Sequence, residues 1–482
     1  MKRPRETVDA AALLARETRL VPFVRERWRL LLAYPAPYRV GMSSLGFLTL
    51  HRLVSTRPGW SVERVFGEAS ASTGRLRSLE TGAPATDFHA VGISVAHELD
   101  IPGVAELLRG LGLNPRRRLR RGGPLVVLGG PLTAINPRPL AALADLVIIG
   151  EADVAMGQLC DALQDGLTAE HAPGALGDLE GFWWPDTGAS PPPALRVAVE
   201  HLPAHAALWS PDAELRDMFL VEVGRGCNRA CAFCATSREA AGRCRVVAAD
   251  RVLAQIPARA TRVGLVGAAV SDHPELSEIL GPLVEGGREV GLSSIRADRL
   301  DAELVGLLAR AGLRTLTLGV DGASARLRSQ VKKGVTEENL VTAAELAAGA
   351  GLRRLKLYQL VGLPSETDED LDELVLFTQR LSRILPVTLA VSPFVPKPGT
   401  PLAGAIQAPP KELERRLRFL RKGLRGRVRI QPSSVRWAWV EARIAQGNEE
   451  TGEAILRAWE RGGKFAHFKA ELAGEDLPGP SR

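Results

Sequence analysis

Three cysteines lie within eight residues of one another, and they constrain the chain more than any other feature of its sequence. Cys227, Cys231 and Cys234 have the spacing C-x3-C-x2-C in a segment that reads VEVGRGCNRACAFCATS (221–237). The chain has five cysteines, an odd number, and its first residues show no continuous apolar segment of the kind that directs export. A clustered, odd set of thiols argues against a disulfide framework and predicts a metal site.

The number of local ligands favours an iron–sulfur cluster over zinc. Soft thiolates select zinc, copper(I) or iron–sulfur clusters, and structural zinc is closed by four ligands. The segment supplies three, no histidine follows at zinc-finger spacing, and Cys244 lies ten residues farther on. Three cysteines on a [4Fe-4S] cluster leave one iron open to a small molecule. A zinc knuckle or three buried thiols is the alternative.

Composition places the chain among soluble globular proteins. Hydrophobic residues make up 45% of it, and the net charge of +7 comes from 62 Lys and Arg against 55 Asp and Glu. The arginines are spread along the chain, which favours a compositional origin over nucleic-acid binding, and the run RRRLRR (116–121) is typical of a solvated loop. The apolar runs are far shorter than the roughly 20 residues that cross a bilayer. We therefore expect a cytoplasmic protein with no membrane partner.

Short apolar segments alternate with helical patterns in the first part of the chain, which predicts a parallel sheet covered by helices. In such sheets ligands bind beyond the carboxyl ends of the strands. The alternation resumes near residue 218 and predicts a partial or full β/α barrel with its site at the same ends. The strands are predicted at 29–33, 90–95, 125–128, 145–149, 219–223, 262–266, 289–293, 315–318, 355–360 and 387–391.

The last part of the chain reads as helical and charged. Leucines 413, 417, 420 and 424 are spaced three or four residues apart, which predicts an amphipathic helix packed on the barrel. The predicted fold class is thus α/β: a Rossmann-like parallel sheet, a partial β/α barrel and a helical C-terminal tail. The predicted divisions are an extension at 1–24, a first domain at 25–165, a linker at 166–215, a barrel at 216–405 and a helical region at 406–482.

Four pieces of the sequence resemble motifs of the radical SAM superfamily. The cysteine segment resembles the loop in which three cysteines hold a [4Fe-4S] cluster and the fourth iron chelates S-adenosylmethionine (SAM). The segments SIR (294–296), GVDGAS (319–324) and VGLPSET (361–367) resemble the strand ends that contact SAM. The resemblance implies reductive cleavage of SAM to methionine and a 5′-deoxyadenosyl radical, which abstracts hydrogen from a substrate.

The same resemblance implies roles for individual residues. Cys227, Cys231 and Cys234 would bind the cluster, and Phe233 would lie against adenine. The segment GLVGAAV (264–270) departs from the family's G-G-E and lacks the acidic residue that holds the SAM amino group. The residues implied to bind SAM are Phe233, Ser294, Arg296, Asp321, Ser324 and Gly362.

The first domain resembles the cobalamin-binding-type domain that precedes many radical SAM cores. The matching pieces include YPAPYRVGMSSLGF (34–47), VGIS (91–94) and GGP (129–131). The resemblance implies cobalamin held by backbone at the turns that follow strands, or else a vestigial domain that binds none. The residues implied to bind cobalamin are Ser43, Ser44, Gly46, Ser94, Gly129 and Gly130.

A formal match to the cobalt-ligand motif D-x-H-x-x-G occurs at residues 87–92. The motif runs directly into a predicted strand. His89 would therefore lie at the end of the sheet opposite to the one where cobalamin would bind. We expect a strand-edge histidine there, and cobalamin bound without a histidine ligand.

Four residues outside these motifs are also candidates for a chemical or structural role. Lys356 and Tyr358 are two apart on a predicted strand and share one face, where they would contact an acidic group and relay hydrogen, or simply pack. Packing is the favoured prediction. Cys244 is expected to be a buried structural thiol, and Cys160 a core residue of a helix.

The leading hypothesis is a radical SAM enzyme that transfers a methyl group from cobalamin to an unactivated carbon. The second is a radical SAM enzyme without cobalamin that performs rearrangement, oxidation or sulfur insertion. The third is a non-catalytic iron–sulfur protein that binds a partner or carries electrons. An electron donor such as flavodoxin or ferredoxin is implied for the enzymes, and RNA stays open as a substrate. The sequence does not identify the substrate.

Overall fold

The computed structural model describes residues 9–67, 75–168, 179–236 and 243–473. These residues form two compact units. The first contains the described residues up to Phe219 and those from Gly447 onward, and the second runs from Leu220 to Gln446. No helix within the described ranges has the length and apolar character needed to span a membrane.

The first unit is built on a sheet with the strand order β3-β2-β4-β5-β6-β7. Its strands pair in parallel, except that β7 is antiparallel to β6. The central strands are buried on both faces, as expected for a parallel sheet covered by helices. The strands of this unit are β1 (Thr18–Arg19), β2 (Trp28–Tyr34), β3 (Trp60–Phe66), β4 (Ala90–Ser94), β5 (Leu125–Gly129), β6 (Leu146–Ile148), β7 (Phe182–Trp183) and β8 (Leu208–Trp209).

The chain order of this sheet reverses between β2 and β4. From β2 the chain moves outward to β3, then returns to add β4 and β5 on the other side of β2. The crevice beyond the carboxyl ends of two such strands is the usual ligand site of an open α/β sheet. The helices are α1 (Ala10–Arg16), α2 (Tyr38–Gly41), α3 (Leu45–Ser55), α4 (Ile101–Gly110), α5 (Ala155–Gln164), and later in the chain α14 (Glu449–Glu460) and α15 (Phe465–Leu472).

Two of the predicted divisions differ from the structure. Residues 166–215 are not a bare linker, because β7 extends the sheet and β8 pairs antiparallel with β1. The predicted helical region 406–482 is divided, since its last described helices belong to the first unit. There α14 packs on the turn Arg138–Ala142, and a Cβ at Gly452 would lie 2.3 Å from the Pro139 carbonyl oxygen.

The second unit contains strands in the orders β13-β12-β9 and β14-β15-β16-β17. A parallel bridge between Ile295 and Leu318 links the two groups. An antiparallel pair, β10 with β11, lies beside the cysteine segment in the sequence. The strands are β9 (Met218–Glu222), β10 (Gly224–Arg225), β11 (Arg245–Val246), β12 (Arg262–Val266), β13 (Glu289–Leu292), β14 (Thr315–Asp321), β15 (Arg354–Val361), β16 (Val387–Pro393) and β17 (Arg429–Pro432).

Helices follow the strands of the second unit in the alternation that the sequence predicts. The predicted amphipathic helix is confirmed as α12, because Leu413, Leu417 and Leu420 are buried. The helices are α6 (Ala249–Ala254), α7 (Leu276–Glu285), α8 (Ala302–Arg310), α9 (Ala325–Gln330), α10 (Glu337–Gly349), α11 (Asp368–Ser382), α12 (Pro410–Gly423) and α13 (Val435–Ala445). The α/β fold class with a helical C-terminal part is therefore as predicted.

Candidate active site

The three clustered cysteines lie in the loop that follows β9 and β10, where the strands of a β/α barrel present their ligand-binding ends. None of the three is in a disulfide bond within the described residues; Cys231 is buried, and Cys227 and Cys234 are half-buried. The loop is tied to the rest of the unit through Ala232, whose N–H donates to the carbonyl oxygen of Val331 at 2.9 Å. The loop thus holds its thiols against the segment that follows α9.

The three thiols are not arranged as ligands of one zinc ion. A tetrahedral zinc ion with Zn–S bonds of about 2.3 Å brings its sulfurs within about 4 Å of one another. The Sγ atoms of Cys227, Cys231 and Cys234 do not all lie within 4.8 Å of one another. The donor set itself fits a [4Fe-4S] cluster, since soft thiolates select iron–sulfur clusters and three of them leave one iron open.

Charges of both signs lie near the buried thiol. Burial raises the pKa of Cys231, while the cations Lys333 and Arg296 act in the opposite direction and favour the thiolate. Cys244 lies close enough to Cys227 for the two charges to interact, and burial together with Cys227 raises the pKa of the Cys244 thiol. Its N–H donates to the side-chain oxygen of Asn228 at 3.0 Å.

An ion pair that the sequence analysis did not single out fixes the cysteine loop. Arg229 donates to both carboxylate oxygens of Asp272, at 2.6 and 2.8 Å, and Asp272 also accepts from Arg299 at 3.0 Å. Burial raises the pKa of Asp272, but the hydrogen bonds and charge of Arg229 outweigh it and hold this pKa below its usual range. Asp272 follows by two residues the segment 264–270, in which we noted the missing acidic residue.

Phe233 and the segment after β15 are brought together. Phe233 packs against a buried cluster that includes Leu363 and Phe394. Gly362 has a φ of +86°, its N–H donates to Glu366 Oε2 at 2.7 Å, and a Cβ there would lie 2.5 Å from a methyl of Leu413. A side chain at this φ would be strained, so the turn next to Leu363 favours glycine.

Asp321 ends β14 in the left-handed conformation, with a φ of +61°. Its carboxylate accepts a hydrogen bond from Lys333 Nζ at 2.5 Å, and both side chains are mostly buried. Lys333 was missed by the sequence analysis, although the KKG turn that contains it closely follows the GVDGAS motif. The pair places one charge of each sign next to the cysteine loop.

Of the predicted third-strand residues, Ser294 is exposed and Arg296 is buried. The Arg296 guanidinium donates to Asp298 at 2.9 Å and to the carbonyl oxygens of Lys333 and Gly334 at 2.9 and 3.2 Å. The Nε and Nη2 atoms therefore bond within the protein, which makes Arg296 a support for the turn that carries Lys333. The contact of Arg296 with SAM stays a prediction.

Ser324 is likewise committed to the fold. Its side chain is 1% exposed, donates to Asp370 Oδ1 at 2.5 Å and caps α9 by accepting from the N–H of Leu327 at 3.2 Å. We expect Ser324→Ala to lower the free energy of unfolding by about 2 kcal/mol, since it removes a cap and leaves a buried carboxylate short of a donor. SAM affinity should change little. Urea unfolding and equilibrium SAM binding measure the two effects.

Thr336→Ala is the matched control for that prediction. Thr336 caps α10 by accepting from the N–H of Asn339 at 3.1 Å, but it is exposed, so its loss should cost about 1 kcal/mol. A Ser324→Ala protein of unchanged stability with much weaker SAM binding would contradict this prediction. It would support the SAM-binding role that the resemblance implies for Ser324.

The residues predicted for cobalamin lie on three turns at one edge of the first unit's sheet. Residues 43–46 follow β2, Ser94 ends β4, and the pair Gly129 and Gly130 ends β5. Gly130 has a φ of +107°, and a Cβ there would lie 2.7 Å from the Val95 carbonyl oxygen, so only glycine fits. These turns border the crevice between β2 and β4.

The serines and Gly46 at this edge differ in what they offer a ligand. Ser43 donates to the Arg39 carbonyl oxygen at 2.9 Å and accepts from the N–H of Leu215, also at 2.9 Å. Ser44 is the residue before α3 and makes no side-chain cap. A Cβ added to the exposed Gly46 would meet no atom within 4 Å. The space above Gly46 is thus open to a ligand.

His89 lies where the sequence analysis placed it, immediately before β4 and so at the amino end of the sheet. Its Nδ1 accepts the Arg29 N–H at 3.1 Å, and its ring is 4.5 Å from that of Trp28. A different histidine, His97, lies just beyond the carboxyl end of β4, with 45% of its side chain exposed. His97 was not among the predicted site residues, although it falls in the loop directly after a predicted strand.

Comparison with known proteins agrees with this architecture. Residues 221–378 match the radical SAM superfamily, and residues 46–184 match the N-terminal domain of radical SAM proteins. An uncharacterised protein of Methanocaldococcus jannaschii is 26% identical over 431 residues, which are 88% of this chain and 89% of that protein.

Two solved structures share the fold. One is TsrM from Kitasatospora setae, a radical S-adenosylmethionine methyltransferase with cobalamin and a [4Fe-4S] cluster bound; its TM-score is 0.55 at 16% identity, over 79% of this chain and 76% of TsrM. The other is OxsB, a cobalamin-dependent S-adenosylmethionine radical enzyme with aqua-cobalamin and S-adenosylmethionine bound. Its TM-score is 0.53 at 16% identity, over 74% of this chain and 52% of OxsB.

The cysteine loop, the strand-end segments and these matches together define a radical SAM enzyme. The chain belongs to the radical SAM superfamily, in the group that carries an additional N-terminal α/β domain.

Proposed function

We propose that this enzyme transfers a methyl group from cobalamin, held by the first unit, to a carbon atom of its substrate. When bound, the [4Fe-4S] cluster supplies the electron that cleaves SAM, and the corrinoid supplies the methyl group. The observation that carries the proposal is the set of three turns at the β2/β4 crevice, in a chain whose second unit holds the cysteine loop. The cofactors of TsrM and OxsB support it.

In this proposal, each group of site residues in the second unit has its own role. Cys227, Cys231 and Cys234 bind the cluster through their thiolates, leaving one iron for SAM. The backbone around Gly362 and the ring of Phe233 form the surface for adenine. The Lys333 and Asp321 pair offers charges for the carboxylate and amino groups of the methionine part.

The first unit's residues fit a corrinoid through their backbone and their open space. Corrin side chains carry amides, which backbone N–H and C=O groups of glycine turns can pair with. Gly46 leaves room above α3, and Gly130 lets the β5 turn approach closely. With His89 at the other end of the sheet, we expect cobalamin bound without an imidazole from that motif.

Anaerobic reconstitution with iron, sulfide and hydroxocobalamin tests the proposal. We expect four irons and one retained corrinoid per chain, and 5′-deoxyadenosine from SAM on reduction with dithionite. Four irons and 5′-deoxyadenosine without corrinoid would overturn methyl transfer from cobalamin and favour the radical SAM enzyme without it. Zinc in place of iron would overturn both.

A further inference from the structure

On β14 and β15 the residues of one face are buried and those of the other face are at least partly exposed, whereas on β16 Thr388 is buried as well. On β15, Leu355, Leu357 and Val361 are buried, whereas Lys356 is half-buried and Tyr358 is 40% exposed. The partners of Lys356 and Tyr358 in the parallel register extend the same face across the sheet. We call it the inner face, and it carries Thr317, Gly319, Lys356, Tyr358, Thr388, Ala390, Arg429 and Gln431.

Tyr358 does not pack as the sequence analysis favoured. A packed barrel aromatic would be covered by its neighbours, but Tyr358 is flanked in register by Gly319 and Ala390, two of the smallest residues. Its ring lies 4.9 Å from Lys356 Nζ, in a cation–π contact that holds the ammonium group over it. The two side chains therefore border open space instead of filling it.

The charged side chains on the inner face are both positive. The strands β15, β16 and β17 contain no acidic residue. Lys356 and Arg429 lie in one row of the sheet, each paired in register with Thr388, and neither forms an ion pair with the described residues. Strands are about 4.8 Å apart, so the two Cα atoms are about 10 Å apart and both long side chains can reach one anion.

We propose that the inner face binds an organic anion, with its carboxylate or phosphate between Lys356 and Arg429 and its apolar body on the Tyr358 ring. This rests on the proposed radical chemistry, because the anion would be the substrate of that same site. Asp321, beside the cysteine loop, is in register with Gln359, three residues beyond Lys356. At about 3.3 Å per residue, the anionic group would lie about 10 Å along the strand from the level of Asp321.

A pair of fluorinated probes that differ in charge tests the anion site. In ¹⁹F NMR with the reconstituted full chain, 4-fluorobenzoate should bind at least tenfold more tightly than the neutral 4-fluorobenzamide. Lys356→Gln should weaken 4-fluorobenzoate about tenfold and leave 4-fluorobenzamide unchanged, whereas Tyr358→Ala should weaken both probes. The affinity of a third probe, 4-fluorophenyl phosphate, shows whether the site prefers a carboxylate or a phosphate.

Lys411→Gln is the matched control, since Lys411 is an exposed lysine on α12. It should bind both probes as the unsubstituted chain does. Equal affinity for the charged and neutral probes, or no effect of Lys356→Gln, would overturn the anion site. Formation of 5′-deoxyadenosine by the unsubstituted enzyme is scored separately, so a failure of the radical chemistry is distinguished from a failure of anion binding.

Discussion

Replacing Cys231 with alanine is expected to abolish formation of 5′-deoxyadenosine from SAM. Cys231 is the buried member of the three; burial raises the pKa of its thiol, and the cations Lys333 and Arg296 act against this increase. Without it the loop keeps two thiols, too few to hold a cluster with one open iron. We expect a loss of about 10³-fold or more, equivalent to at least ~4 kcal/mol of transition-state stabilisation. Product analysis and iron content measure the effect.

The matched control for that loss is Cys244→Ala. Cys244 is a half-buried thiol whose charge interacts with that of Cys227, so it is the cysteine outside the loop best placed to act as a further ligand. We expect the variant to keep four irons and its activity. If Cys244→Ala loses iron as Cys231→Ala does, the ligand set is four cysteines, and SAM then has no open iron to chelate.

The chemistry of the site could be read from the sequence because it depends on local spacing. The three cysteines occupy eight consecutive positions, and the glycine turn at Gly362 lies within one short motif. Lys333 and Asp272 could not be found in this way, because their partners Asp321 and Arg229 are 12 and 43 residues away in the chain. Tertiary packing brings these charges together, because Lys333 lies in the turn between α9 and α10 and Asp272 in the segment after β12.

The hydrogen-bond partners of the predicted SAM residues could not be read from the sequence. The motifs containing Arg296 and Ser324 identify polar side chains but not which groups they contact. In the structure Arg296 donates to Asp298 and to two carbonyl oxygens, and Ser324 donates to Asp370. Whether a polar side chain is available to a ligand is decided by tertiary contacts, which spacing does not encode.

Most strands of the fold follow from hydrophobic runs, and one missed strand shows where that approach fails. The bounds Arg262–Val266 agree with the prediction, but β3 was not predicted as a strand. Its sequence WSVERVF contains Glu63 and Arg64, which are fully buried. Glu63 accepts from Arg29 at 2.6 Å and Arg64 donates to Glu17 at 2.8 Å. Because each charge has a distant partner, a strand that reads as half polar lies wholly in the core.

Gly46→Leu is expected to abolish corrinoid retention while leaving the protein at least as stable. Gly46 lies in the first turn of α3, and an added Cβ meets no atom of the protein within 4 Å. Replacing a helical glycine should stabilise the fold by up to about 1 kcal/mol. The larger side chain would, however, occupy the space above α3 that we assign to the corrin ring. We expect bound corrinoid, measured by absorbance after gel filtration, to fall at least tenfold.

Gly281→Leu separates this steric effect from a general effect of replacing a helical glycine. Gly281 lies within α7 of the second unit, where an added Cβ also meets no atom within 4 Å, so the stability change should be similar. Corrinoid retention should be unchanged, and both variants should keep four irons. A Gly46→Leu protein that retains corrinoid as the unsubstituted chain does would place the corrinoid away from the turn after β2. The crevice between β2 and β4 would then have to be assigned to another ligand. The strand order reverses there, and this is the usual ligand site of an open α/β sheet, whatever the ligand is.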